Sequence, residues 1–338
     1  MLYLPLINLL WLSFWIPVVY MTDAFPQVKD FYREATPTRR PLENLHLESI
    51  REYLESVWEM PIMPSSEAED FEMDGVVLGS GWFGTVRLTR HIRENKLYAV
   101  KSQMLSSNSL AEVQFMQAAR NNSHTVQMHS YFWDEAEATQ YTVMDYYSGG
   151  TLLDLLNRVG AFNEDEVRFY LAQMIIAVDM LHRARIMHHD IKPDNILVGD
   201  DGYLRLADFG ISSLVSAYNP TTSLWDYASA VDWWQVGRTT MDMIYAEQGH
   251  INAPIQYRSL LSLFESSKAN AKIIKAHPFF FKYSTADWDA IERKTFSAPF
   301  SLEYNKNGLC YDPTRLNIRR KKAGCINKTI YNVNNFRR

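Results

Sequence analysis

Hydrophobic and polar positions alternate along the chain in two regimes. Between residues 71 and 147 the runs "GVVLGSGWFGTVRLT", "KLYAVKSQ" and "TQYTVMDYY" are rich in β-branched and aromatic residues and are broken by glycines, which predicts strands. Beyond them the period lengthens. In "EDEVRFYLAQMIIAVDMLHRA" apolar residues such as Val167, Tyr170, Leu171, Met174 and Val178 recur on one helical face, with Asn163 placed to cap it. A small β lobe followed by a larger helical lobe is the predicted order, an α+β arrangement without internal repeats.

The ends of the chain are patterned differently. Residues 1–22, "MLYLPLINLLWLSFWIPVVYMT", carry no charge and are long enough to cross a bilayer, although Pro5, Asn8 and Pro17 interrupt them. They lack a positive n-region and a small-residue cleavage site, so the membrane reading is a signal-anchor. Lys29, Arg33, Arg39 and Arg40 would then hold the following chain in the cytosol. The alternative is an apolar leader that packs on the rest, or a mispredicted start. Residues 23–70 form a polar extension with one amphipathic helix in "LENLHLESIREYLESVW", closed by "PIMPSSEAED". A new domain is expected from Phe71.

Composition narrows the class. A chain of 338 residues with 47% hydrophobic and 22% charged residues has room for two lobes and is globular rather than fibrous or disordered. The net charge of -5 gives no pull towards nucleic acid, and none is expected as a partner. Only Cys310 and Cys325 are present, which fits a reducing compartment, and no Cys/His cluster argues for a structural metal.

Candidate chemistry sits in the two central regimes. "LGSGWFGTV" spaces Gly79, Gly81 and Gly84 so that backbone N–H groups can approach phosphates where a Cβ would block them. A strand, a turn and another strand follow it rather than a helix, which excludes a dinucleotide-binding turn and predicts a glycine flap between antiparallel strands. Lys101 in "YAVK" would project under that flap to neutralise phosphate charge, unless it is a solvated strand lysine. Glu112 in "SLAEVQFMQAAR" is either its ion-pair partner or half of a Ser109/Glu112 capping box. In "MHHDIKPDN" Asp190 can orient a hydroxyl and accept its proton, Lys192 can steady a γ-phosphate and Asn195 can hold a metal ion; Asp208 in "LADFG" adds a carboxylate for Mg²⁺.

Taken together, these motifs resemble a eukaryotic protein kinase. "EDFEM", "VMDYYSGGTLLDLLNR", "HDIKPDNILVGDDGYLRLADFG", "VDWW" and "HPFF...DWDAI" resemble the AGC branch that holds myotonic dystrophy kinase, MRCK, Rho-kinase and citron kinase. The resemblance implies a bilobal kinase domain over 71–281, with an N-lobe of 71–145 and a C-lobe of 146–281, and an AGC-like extension with a basic tail over 282–338. It implies serine/threonine specificity, ATP and Mg²⁺ as cofactors, protein substrates, a cytoplasmic location and Rho-type GTPase pathway partners. It also implies that Leu78, Gly79, Ser80, Gly81, Trp82, Phe83, Gly84, Thr85 and Val86 cover ATP. Met144 resembles the gatekeeper, Asp145 and Tyr147 the hinge, and Val86, Ala99 and Leu197 the adenine sandwich. Lys101, Asp190 and Lys192 become catalytic, Glu112 the lysine's partner, and Asn195 and Asp208 the metal ligands.

The departures shape a second expectation. His189 replaces the arginine of H-R-D and would be a weaker, pH-dependent cation. Thr151 stands where an acidic residue usually binds ribose, Leu224 replaces the threonine that touches the catalytic aspartate, and no A-P-E follows "TSLWDYAS". The span from Asp232 to His277 is short for the family. A nucleotide-binding pseudokinase or interaction scaffold is therefore the rival expectation. The tail after Asp312 has eight Lys/Arg and no acid, which reads as solvated or as a contact for acidic lipid or RNA.

Overall fold

The computed structural model describes residues 68–73, 75–81, 84–134, 136–214, 222–245, 255–299, 302–305 and 308–311. The apolar leader, most of the extension, Trp82, Phe83 and the basic tail lie outside the described residues.

Five antiparallel strands form the first lobe: β1 (Val76–Gly81), β2 (Gly84–His91), β3 (Lys96–Met104), β4 (Met128–Asp134) and β5 (Thr139–Asp145). Their order is β1-β2-β3-β5-β4. Phe71, Tyr98, Val100 and Val143 make a small core of their own. β4 is a strand that the sequence pattern does not announce. Its pairing with β5 shifts register between Met128 and Ser130, and such an irregularity disrupts the period-two alternation by which a strand is recognised.

Helix α1 (Ser107–Ala118) lies between β3 and β4 along the chain. Ser106 caps it, accepting from the Ser109 N–H, while the Ser109 hydroxyl accepts from the Ser106 N–H. The capping box is thus Ser106/Ser109 and not Ser109/Glu112, which places Glu112 well inside the helix and releases its carboxylate for another partner.

The second lobe is built on α2 (Leu152–Val159), α3 (Glu164–Arg183) and α4 (Thr222–Tyr245), with α5 (Ile255–Phe264), α6 (Ala271–Lys275) and α7 (Thr285–Glu292) packed outside them. Asn163 caps α3 as expected. Instead of burying one face, α3 is enclosed almost all round, because α4, α6, α7 and β8 all pack against it. Two of its buried polar side chains bond to distant backbone: the Gln173 amide oxygen accepts from the Leu204 N–H, and Arg168 donates to the Phe279 carbonyl. Leu171 and Ile175 are fully buried there, each contributing roughly 1.5–3 kcal/mol by removal from water.

Short strand pairs frame the loops between α3 and α4. β6 (Ile186–Met187) pairs with β9 (Ser213–Leu214), and β7 (Ile196–Val198) pairs with β8 (Leu204–Leu206). Strands β10 (Leu302–Asn305) and β11 (Gly308–Tyr311) form a separate hairpin. The two cores and the antiparallel-sheet lobe beside a helical lobe make a bilobal α+β fold. Among the described residues no helix is long and apolar enough to cross a membrane.

Candidate active site

The flap is the hairpin of β1 and β2, in register Gly79↔Val86, Ser80↔Thr85 and Gly81↔Gly84, with Leu78 at a register shift. Gly84 has φ +115°, and a Cβ there would lie 2.3 Å from the Ser102 carbonyl, so the protein itself requires glycine. At Gly79 and Gly81 a Cβ would meet nothing within 4 Å. The fold leaves space at these two positions, as a cradle for an approaching phosphate would.

Behind the flap, β3 places Lys101 opposite Val86, and Ala99 opposite both Leu88 and Met144. Lys101 is buried, and its Nζ lies 2.6 Å from Glu112 Oε1 and 3.1 Å from Asp208 Oδ1. Gln103 donates to the other Glu112 oxygen at 2.8 Å. Burial alone would lower the lysine's pKa, but Glu112 and Asp208 outweigh it and hold the ammonium above the ordinary lysine range. Lys101 is not a solvated strand lysine.

The loop between β6 and β7 holds the second group of side chains. Pro193 opens a 3₁₀ turn, Pro193–Asn195, which folds Asn195 back onto Asp190. The Asn195 amide nitrogen donates to the Asp190 carbonyl at 3.0 Å and to Oδ2 at 2.7 Å, leaving the amide oxygen as the atom able to ligate a cation. Lys192 Nζ reaches both Asp190 carboxylate oxygens, at 2.8 and 3.0 Å. The Ala207 N–H donates to the Asn195 carbonyl at 2.8 Å, and this contact brings Asp208 beside the loop. Asp208 and His189 both have left-handed φ values, +65° and +68°, unusual for residues with a Cβ.

Hard oxygen donors from Asp208 and Asn195 suit Mg²⁺, which takes one or two protein oxygens and completes its shell with water and phosphate. Among the described residues no group of three His, Cys, Asp or Glu could hold a metal alone.

Met144, Tyr147 and Leu197 pack on the larger core while staying partly exposed. Thr151 pairs through its backbone with Leu197 but spends its side chain on capping α2, in a reciprocal box with Asp154. The Asp154 Oδ2 therefore already accepts from both the Thr151 N–H and hydroxyl.

His189 behaves differently from the expected cation. It is 5% exposed, its Nε2 lies 2.7 Å from the Ser213 hydroxyl, and burial pushes its pKa below the ordinary histidine value. A neutral ring tying the loop to β9 replaces the charge. His188 is likewise lowered by burial; its Nδ1 accepts from the Asp190 N–H at 3.3 Å while Nε2 donates to the Ala207 carbonyl at 3.1 Å. Protonating His188 would break its bond to the backbone of Asp190. His124, also buried, is lowered to about 4, first by burial and then by Lys294 and Arg205.

The pH dependence follows in sign. A histidine lowered on folding gives a contribution that is complete above its unfolded value near 6.5 and is lost as the pH falls from there. For His124 the displacement from 6.5 to about 4 amounts to roughly 3 kcal/mol. The thermal midpoint is expected to drop between pH 6.5 and 5, and His124→Gln should flatten that slope; a midpoint independent of pH across this window would contradict the burial argument.

Asp232 was not anticipated as a site residue, only as part of "VDWW". It is fully buried on α4 and accepts from the N–H groups of His188 (2.9 Å) and His189 (2.7 Å) and from His182 Nε2 (2.8 Å).

Residues 73–277 match the protein kinase domain family. The chain is 31% identical over 274 residues to a probable serine/threonine-protein kinase of Dictyostelium discoideum, covering 66% of this chain and 59% of the relative. It is 34% identical over 233 residues to human serine/threonine-protein kinase MRCK alpha, covering 59% and 13%, and 29% identical over 289 residues to sgk-1 of Caenorhabditis elegans, covering 70% and 61%. The chain belongs to the protein kinase family. It spans less than two thirds of the length of each of these relatives.

Proposed function

We propose that the chain is a serine/threonine protein kinase that transfers the γ-phosphate of ATP to protein hydroxyls. The observation that carries this reading is the buried Lys101–Glu112 pair at 2.6 Å with Asp208 at 3.1 Å, because it assembles residues from β3, α1 and the loop after β8 into one charged site. Asp190 orients the acceptor hydroxyl and takes its proton as the new O–P bond forms and the bond to the leaving ADP oxygen breaks. Lys192, bonded to Asp190 and half exposed, stands ready for the γ-phosphate. Lys101 and the flap residues 78–86 hold the other phosphates. Ala99, Val86, Met144, Leu197, Asp145 and Tyr147 take the adenine. Asn195 and Asp208 would hold Mg²⁺, whose charge offsets that of the phosphates.

The match of residues 73–277 to the protein kinase domain family supports a kinase domain over 71–281, and the likeness to MRCK alpha supports the AGC branch; a role under Rho-type GTPases is what that family resemblance implies. With Asp154 committed to its capping box, ribose binding loses its usual carboxylate, and weaker nucleotide affinity follows. If residues 1–22 are the signal-anchor that their uncharged run allows, the catalytic domain faces the cytosol.

The test is transfer of labelled γ-phosphate by the full chain to a basic acceptor protein. Label should appear with Mg²⁺ and disappear on chelation. A folded chain that binds nucleotide but never labels the acceptor would establish the rival, an interaction module, for which the missing A-P-E and the short C-lobe speak.

The glycines separate ligand from fold. Gly81→Ala should raise the KM for ATP without changing the thermal midpoint, whereas Gly84→Ala, strained at φ +115°, should cost about 1–3 kcal/mol of stability. Equal effects on the midpoint would refute the distinction.

A further inference from the structure

Gln235 follows Asp232 by three residues on α4 and precedes Thr239 by four, so all three face the same way. Between them they satisfy the backbone of the loop that carries Asp190. Asp232 takes the N–H groups of His188 and His189. Gln235 Oε1 accepts from the Ile191 N–H at 2.9 Å, and its Nε2 donates to the His189 carbonyl at 2.5 Å. The Thr239 hydroxyl reaches the Ile191 carbonyl at 3.5 Å.

The two groups that Gln235 grips belong to the two peptide planes on either side of the Asp190 Cα. Fixing both planes fixes φ and ψ of Asp190, and with them the direction of its Cα–Cβ bond. An amide is suited to this, because one neutral side chain presents an acceptor and a donor together. Glutamate lacks the donor, and leucine lacks both.

We propose that Gln235 is the positioning residue of Asp190: from α4 it sets the backbone angles that aim the catalytic carboxylate. The inference rests on the kinase reading for its consequence in rate, but the brace itself can be read without any activity. Gln235 touches none of the flap, Lys101, Asn195 or Asp208 in the contacts described, so its loss should act on the step and not on nucleotide binding.

The experiment compares wild type, Gln235→Leu, Gln235→Glu and Thr240→Val in the full chain. Among the described residues Thr240 bonds to the Val236 carbonyl within the helix, and it controls for general loosening of α4. Both Gln235 variants should lose about 10²-fold in kcat with the KM for ATP unchanged, as expected of a misaimed group. Amide hydrogen exchange at Ile191 should accelerate in Gln235→Leu, which loses the acceptor, but not in Gln235→Glu, which keeps it, nor in Thr240→Val. Unchanged exchange at Ile191 in Gln235→Leu overturns the proposal, as does a kcat loss equal to that of Thr240→Val. If wild type transfers nothing while Ile191 still loses protection in Gln235→Leu, the brace stands and only the kinase reading fails.

Discussion

Replacing Asp190 by asparagine should lower kcat for γ-phosphate transfer by about 10²- to 10⁴-fold, the usual contribution of a positioned general base. The substitution keeps the shape of the side chain and one oxygen to accept from Lys192 and Asn195, so the loop should hold its course. What is lost is the second carboxylate oxygen and the capacity to take a proton. The proposed nucleotide contacts lie elsewhere, on β1, β2, β3, β5, Tyr147, Leu197 and Asp208, so the KM for ATP should change by no more than about twofold. Steady-state kinetics on the two chains decides it. A variant as fast as wild type would mean that Asp190 is not the base, and a KM rising in step with the loss in kcat would mean that it acts in binding.

How well this site could be read beforehand depended on sequence distance. Asp190, Lys192 and Asn195 lie within six positions, and the 3₁₀ turn that joins them is signalled by Pro193, so motif and geometry coincide. Lys101 and Asp208 were legible as separate motifs, but their meeting at 3.1 Å is a property of the fold. Glu112 stayed ambiguous because Ser109 three residues before it also fits a capping box, and only the backbone shows that the helix begins three residues earlier, capped by Ser106. His189 was legible as a departure but not in its consequence. Its charge depends on burial, and burial comes from packing against β9 and α4 that no local pattern encodes. The same holds for Asp232 and Gln235, which lie more than forty residues beyond the loop whose backbone they satisfy. Side chains that bond to a distant main chain leave little trace in periodicity.

Lys101→Met should produce two effects that a second substitution separates. Glu112 is 3% exposed, and without its ammonium it becomes a buried charge helped, among the described residues, by Gln103, at a cost of about 3–5 kcal/mol. The thermal midpoint should fall accordingly. By contrast Lys96→Met, which breaks the exposed 3.4 Å contact with Asp145, should cost under about 1 kcal/mol. Transfer should also drop by about 10²- to 10³-fold, because a preorganised cation no longer faces the phosphates. Adding Glu112→Leu removes the stranded carboxylate, and apolar replacement of a buried pair is often neutral, so the Lys101→Met/Glu112→Leu chain should regain most of its midpoint. Its rate should stay low. Recovery of rate together with stability would show that the lysine serves the fold alone and that phosphate charge is met by other residues; recovery of stability without rate places Lys101 in the reaction.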